Sequence, residues 1–320
     1  MRPGRAAALA AVLWAALLAP LPLAAQQRDA AALLARGESV LAHATRPEHW
    51  TAGARLIEQA AEAGSVEAQK RIAALYTAGQ GVPQDFGRAL AWFRRAADKG
   101  DPLATFSVGL QYELGRGVTA DPAEAAVWFG RAAEKGQIDA MFHLALLSEK
   151  GDGVPQDDAR AAALYRRAAD AGDAASMHNL ALLMENGRGM PADPAGAVAL
   201  YLKAAQAGFP DSQFALAELL LDGATVQPDD KTAAGWCLAA AAQGYAPAQV
   251  LIASLYGQGR GVPKDEARAY AWLLVSARAG YPPAIQLRDR IQAALDPKTI
   301  LAARRIAHDL APERAGTADR

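Results

Sequence analysis

Glycine-rich loops are the feature of this sequence that most suggests chemistry, because backbone amides in such loops can bind phosphate. The clearest copies are GQGVPQD at 79–85, GDGVPQD at 151–157 and GRGVPKD at 259–265. A phosphate loop follows a strand and carries a Lys-Ser or Lys-Thr pair or a dinucleotide fingerprint. These loops follow helical patterns and have six equivalents, so we predict that they bind neither nucleotide nor any other cofactor.

The histidines and the single cysteine show no catalytic or metal-binding pattern. Met141 and His143 are two residues apart and would point in different directions on a helix. Cys237 is alone and cannot form an internal disulfide. The histidines, none of which has the spacing of a zinc motif, are His43, His49, His143, His178 and His308. We therefore predict a chain without metal ligands or catalytic residues.

The loops recur with a strict period. The first loop glycine falls at Gly79, Gly115, Gly151, Gly187, Gly223 and Gly259, and the loop aspartate falls at Asp85, Asp121, Asp157, Asp193, Asp229 and Asp265. Every step is 36 residues, without insertion or deletion. A fixed period of this length indicates a stack of repeated supersecondary units.

Each repeat divides into two helical halves. In the repeat at 65–100, apolar residues such as Ile72 and Tyr76 recur three and four positions apart, and no strand-like alternation competes. Gly79 suits the left-handed residue that ends a helix. Asp85 suits an N-cap, where its carboxylate accepts bonds from the free amides of the next helix. The loops are therefore predicted to separate antiparallel helices.

Small residues occupy fixed repeat positions, which lets helix axes approach closely. Cys237 stands where four other repeats have an aromatic residue, so we expect a small buried hydrophobic side chain and no reactive thiol. One small-residue position reads Ala73, Gly109, Ala145, Ala181, Ala217 and Ala253, and another reads Ala89, Ala125, Ala161, Ala197, Ala233 and Ala269.

The combined pattern A-x-x-x-(L/I/V)-(A/G)-x-L-Y-x-x-G-x-G-V-P-x-D, followed by A-x-x-W-(F/Y)-x-x-A-A-x-x-G, resembles the Sel-1-like repeat, a relative of the tetratricopeptide repeat. The resemblance covers about residues 50–295. The sequence departs from the family pattern at Met190, which replaces the loop valine, and at Thr225, which replaces the second loop glycine. It implies an all-α fold, a right-handed α-solenoid of antiparallel helix pairs. It also implies a role in protein–protein assembly.

The termini differ from the repeats. Arg2 and Arg5 precede an apolar run over 6–25, which is typical of a secretory signal cleaved near Ala25. The alternative is an uncleaved membrane anchor. We expect an exported chain in a bacterial periplasm, with secretion as the alternative and no membrane segment after cleavage.

Five segments follow from these features. They are a signal peptide at 1–25, a degenerate capping repeat at 26–64, six in-register repeats at 65–280, capping helices at 281–311 and a flexible tail at 312–320.

Charge gives no reason to expect a nucleic-acid partner. The formal net charge of the 320 residues is −1. Loss of Arg2 and Arg5 with the signal would change it from −1 to −3. A chain so close to neutral has no general attraction for polyanions.

A partner-binding surface is predicted on the first helix of each repeat, the one that precedes the glycine-rich loop. Stacked repeats usually present these first helices on the concave side. One ladder of equivalent positions contains Phe106, Phe142, His178 and Phe214, and a second, seven residues further on, contains Glu113, Glu149 and Glu185. Exposed aromatics are typical interface anchors, and stacked carboxylates suggest a cationic partner. The open alternative is that the phenylalanines pack between helices and the glutamates are solvated.

These features together favour a non-enzymatic scaffold in the cell envelope that binds a peptide or helix of another protein. One alternative is a periplasmic negative regulator of a membrane sensor, which rests on family analogy. Another is a cell-wall-directed hydrolase. We expect no serine beside a histidine in this repeat register, and a hydrolase of that type would need such a pair.

Overall fold

The computed structural model describes residues 23–311, and within this range the chain forms sixteen α-helices and no strand. The predicted tail at 312–320 and all but the last three residues of the predicted signal lie outside the described residues. The helices are α1 Leu23–Ala42, α2 Pro47–Glu62, α3 Val66–Ala78, α4 Phe86–Asp98, α5 Pro102–Leu114, α6 Pro122–Glu134, α7 Ile138–Lys150, α8 Asp158–Asp170, α9 Ala174–Asn186, α10 Pro194–Gln206, α11 Pro210–Asp222, α12 Asp230–Ala242, α13 Ala246–Gln258, α14 Glu266–Arg278, α15 Pro282–Gln292 and α16 Pro297–Leu310.

The chain divides into two compact units. Of the described residues, the first unit comprises those up to His143 together with Asp152–Val154, and the second comprises Leu144–Gly151 and those from Pro155 to Ala311. In the first unit each helix from α1 to α5 packs on the helix that follows it, and in the second unit each helix from α8 to α14 does the same. This sequential packing confirms the predicted all-α repeat solenoid.

The loops end and begin helices as their residue types predict. Gly79 closes α3 with φ of 68°, in the left-handed region that favours glycine. The Asp85 side chain accepts a hydrogen bond from the backbone amide of Arg88 at 2.9 Å and caps α4. Asp157 caps α8 in the same way through the amide of Arg160. The glycine-rich loops therefore end one helix and begin the next.

The second loop glycine has a different structural role. Because it lacks a Cβ atom, its loop can pack directly against the backbone of the preceding repeat. A Cβ atom on Gly189, which has φ of 69°, would lie 2.4 Å from the carbonyl carbon of Asp158. Thr225 occupies this repeat position in the loop between α11 and α12. A threonine has a Cβ and cannot make so close an approach, so this loop is the exception among the six.

Small residues at the two predicted positions are part of the buried core. Ala73, Ala145, Ala181 and Ala217 on the first helices are all fully buried. Cys237 is also fully buried, as predicted, with its Sγ atom 3.2 Å from the carbonyl oxygen of Ala248. Burial raises the pKa of the Cys237 thiol to about 12, so little reactive thiolate exists at neutral pH.

The last helix covers the final repeat. Asp296 caps α16 by accepting hydrogen bonds from the amides of Lys298 and Thr299, and Pro297 is its first residue. Ala303 and Ala307 of α16 pack in one buried cluster with residues of α14. The apolar side of α14 is thereby kept from water.

Candidate partner-binding surface

In the first unit, the predicted aromatic ladder is partly core. Phe106 is only 8% exposed, and its ring centroid lies 5.6 Å from that of Phe129 and 5.4 Å from that of His143. Phe142 is partly buried, with its ring edge-on to His143 at 5.8 Å. The alternative that the phenylalanines pack between helices therefore describes Phe106, while Phe142 keeps some exposed surface.

In the second unit, the ladder residues contact the start of the next first helix. His178 is partly buried, and its ring lies 5.5 Å from that of Phe209. Phe214 is also partly buried, with its ring 5.5 Å from that of Tyr245. Desolvation lowers the pKa of His178, although Asp211 and Glu185 act in the opposite direction. The imidazole is therefore neutral at physiological pH.

The glutamates of the predicted ladder contact other side chains of the same chain. Glu149 Oε2 accepts a hydrogen bond from the Tyr165 hydroxyl at 3.1 Å, and its Oε1 accepts one from Arg188 at 2.8 Å. Glu185 Oε2 accepts a hydrogen bond from the Tyr201 hydroxyl at 2.9 Å. Burial, and then the neighbouring carboxylates, raise the pKa of both tyrosines.

Glu113 differs because its repeat has Phe129 where the next two have tyrosine. Its Oε2 atom lies 3.0 Å from Nδ1 of His143, and no hydrogen bond is assigned between the two atoms. All three ladder glutamates thus face a polar group of the chain itself. These contacts account for the carboxylates without a ligand, so a cationic partner at this ladder stays a prediction.

The expectation that no serine lies beside a histidine is wrong. His178 Nδ1 is 3.0 Å from the Ser212 hydroxyl, because the first helices of consecutive repeats are neighbours and bring residues 34 apart together. Ser212 is fully buried, and it occupies a core position that is alanine in four other repeats. A substrate cannot reach this hydroxyl, so the contact is a packing feature.

A cavity in the second unit was missed by sequence reasoning. It has a volume of about 570 Å³ and lies between α11, α13, α14 and α15. Phe214 from the predicted ladder and Val250, the equivalent residue of the next repeat, line it together with Glu218 and Tyr281. A signal for it was present: the repeat position of Glu218 otherwise holds Ala74, Leu110, Leu146, Leu182 and Ser254.

Other kinds of site find no support in residues 23–311. In that part of the chain no three His, Cys, Asp or Glu side chains are grouped so as to hold a metal ion. None of the helices described there is both long and apolar enough to cross a membrane.

Comparison with known proteins agrees with this geometry. The sequence profile of the Sel1 repeat matches residues 66–101, 102–137, 138–173, 174–209, 210–245 and 246–281. The chain is 31% identical to a Sel1 repeat protein from Oxalobacter formigenes, with a TM-score of 0.70 over 77% of this chain and 99% of the other. It shares the fold of a protective antigen of uropathogenic Escherichia coli, at 23% identity and a TM-score of 0.51 over 82% of this chain and 72% of the other. No curated protein gives a significant match.

Six matched repeats cover more than half of the sequence, so the chain belongs to the Sel1 repeat family. Sel1 repeat proteins are generally scaffolds for protein–protein interaction, and the fold is typically not catalytic.

Proposed function

We propose that this chain is an exported, non-enzymatic scaffold of the cell envelope that binds a partner protein through its first helices. The observation that carries the proposal is the partial exposure of aromatic side chains at one repeat position, Phe142 in the first unit and Phe214 in the second. Aromatic residues that are held by packing and still reach the surface are typical anchors of protein interfaces. The partner segment is a peptide or a helix.

Export to the periplasm is part of the same proposal. Its support is the pair Arg2 and Arg5 before the apolar run at 6–25, which is typical of a secretory signal. Fractionation of the native host followed by mass determination tests it. A chain that begins near Gln26 and is released from the periplasm supports export, and a cytoplasmic chain that retains Arg2 contradicts it.

Crosslinking in the cell envelope of the native host tests partner binding. The tagged chain should capture a defined partner, and the double variant Phe142→Ser/Phe214→Ser should lose it, because both anchors are removed. Phe106 is left unchanged because it is core, and its removal would leave a cavity.

A matched control removes apolar surface from second helices instead. Val127 and Leu202, which are 48% and 38% exposed, lie on α6 and α10. The Val127→Ser/Leu202→Ser variant should capture the partner as well as the unchanged chain does. Equal capture by both variants, with helical content preserved, would place the binding surface elsewhere.

A further inference from the structure

The cavity between α11, α13, α14 and α15 is larger than its counterpart in the fourth repeat because two of its lining residues are smaller. In the fourth repeat Tyr201 and Glu185 hydrogen-bond each other at 2.9 Å and line a cavity of only about 300 Å³. In the sixth repeat the equivalent residues are Leu273 and Gly257, which both line the cavity. The ring and the carboxylate are thus missing together, and about 570 Å³ is left open.

The cavity keeps one acidic residue that the fold does not need. Glu218 lines it, and no other repeat has a carboxylate at this position. Glu218 is exposed, and it forms no hydrogen bond or ion pair with a described residue. An accessible carboxylate that lines an apolar cavity can therefore pair with a basic group from outside the chain.

The surroundings are mainly apolar, with some neutral polar and acidic residues, and contain no basic group. Phe214, Val250, Leu287 and Ile291 are among the cavity's lining residues. On the other side of Glu218, a second cavity of about 300 Å³ is lined by Glu185, Glu218 and Asp222. None of the residues that line these two cavities is a lysine or an arginine.

We propose that this cavity binds a lysine or arginine side chain that the partner segment carries between apolar residues. This proposal rests on the proposed function and assigns it a ligand chemistry. The basic group pairs with Glu218 in a charge-assisted hydrogen bond, and the flanking apolar residues cover Phe214 and Val250. A cavity of this volume, largely apolar and with a single charged residue in its lining, has the properties of a binding pocket. One carboxylate is too few ligands for a metal ion.

Fluorescence anisotropy with short labelled peptides tests the proposal on the chain purified from its native host. The probe is a capped peptide with one lysine flanked on each side by leucines, and its analogues carry glutamine or glutamate in place of the lysine. The lysine peptide should bind best. Glu218→Gln should weaken it by about tenfold, as expected when a charged hydrogen-bond partner is lost. Glu218→Lys should reverse the preference toward the glutamate peptide.

Two further variants keep the proposal falsifiable if the charge reversal perturbs the local structure. Gly257→Leu fills the cavity from within α13, where an added Cβ would be 4.0 Å from its nearest neighbour, Ala269 Cβ. It favours the helix because leucine is the better helix former, yet it should abolish binding of the lysine peptide. Glu266→Gln, an exposed position on α14 outside the cavity lining, is the matched control and should leave binding unchanged.

Equal affinities of the unchanged chain for the three peptides, or an unchanged lysine affinity in Glu218→Gln, would overturn the proposal. The chain's own tail is a competing occupant, since it carries Arg314 and Arg320. Tighter peptide binding by the Arg314→Gln/Arg320→Gln variant would assign the cavity to the tail instead. The failure of one proposal can be distinguished from the failure of the other. If Glu218→Gln still captures an envelope partner, the scaffold function stands and only the basic-group site is wrong. If no partner is captured at all, the scaffold function itself is wrong.

Discussion

At the scale of single residues, the first helices combine an alanine-rich core with a few buried polar pairs. Tyr165 with Glu149 and Tyr201 with Glu185 are the clearest, and each tyrosine is almost fully buried. A buried polar group is stabilising only while its partner is present. In the next repeat both members are replaced together, by Cys237 and Leu221.

The hydroxyl of Tyr201 can be removed without changing the packing of its ring. We expect Tyr201→Phe to lower the free energy of unfolding by about 1–2 kcal/mol, because Glu185 then loses its donor. Urea denaturation followed by circular dichroism measures the difference. Combining this change with Glu185→Gln should give a coupling energy of about 1 kcal/mol. Strictly additive effects would mean that the two side chains do not interact.

These two tyrosines, together with Tyr76 and Tyr245, predict instability at high pH. Burial raises the pKa of Tyr76 and of Tyr245 to about 12, and raises those of Tyr165 and Tyr201 as well. A tyrosine with a raised pKa in the folded state contributes stability that is intact below the unfolded value of about 10 and is lost as pH rises through the folded value. The melting temperature should therefore fall between about pH 10 and 12.

The Tyr165→Phe/Tyr201→Phe variant separates this effect from general alkaline denaturation. It should have a lower melting temperature than the unchanged chain at pH 8 and a shallower decline above about pH 10, since two of the titrating groups are gone. Parallel curves for the two proteins would contradict the assignment.

At the scale of helices and loops, the second loop glycine determines how closely consecutive repeats meet. Gly189 and Gly172 both have positive φ, at 69° and 97°, but only Gly189 contacts the preceding repeat. Gly172→Ala should cost about 1–2 kcal/mol for the left-handed backbone. Gly189→Ala should cost more than about 3 kcal/mol, because its Cβ would also collide with the Asp158 backbone. Similar urea midpoints for the two variants would show that the contact is unimportant.

The helices were predictable because every repeat contains the same signals. The N-cap Asp85, the terminator Gly79 and the buried Ala73 each depend on local sequence and on the 36-residue period. Contacts between repeats were harder to predict. The His178–Ser212 contact joins residues 34 positions apart and depends on how neighbouring first helices face each other.

The candidate site was less predictable than the fold. A ladder of Phe106 and Phe142 looks uniform in sequence, yet the first is core and the second reaches the surface. The difference comes from the neighbours, since Phe129 and His143 close over Phe106. The cavity beside Glu218 arises from missing side chains, which no motif records.

At the scale of the whole molecule, each repeat of a solenoid contacts mainly its neighbours. A destabilising substitution should therefore affect mainly the adjacent repeats. In the Gly189→Ala variant, hydrogen exchange should accelerate first in α8 to α10, next to the altered loop. The amides of α3 and α4 in the first unit should keep their protection. An equal loss of protection throughout would mean that the described chain unfolds as one cooperative body.

The most direct test of the scaffold function is a hydrogen-exchange footprint of the chain with the partner that crosslinking identifies. If the first helices bind the partner, binding should slow hydrogen exchange in α7 and α11, which carry Phe142 and Phe214. The exchange rates of the second helices α6 and α10 should not change. Protection confined to second helices, or to the chain termini, would contradict it.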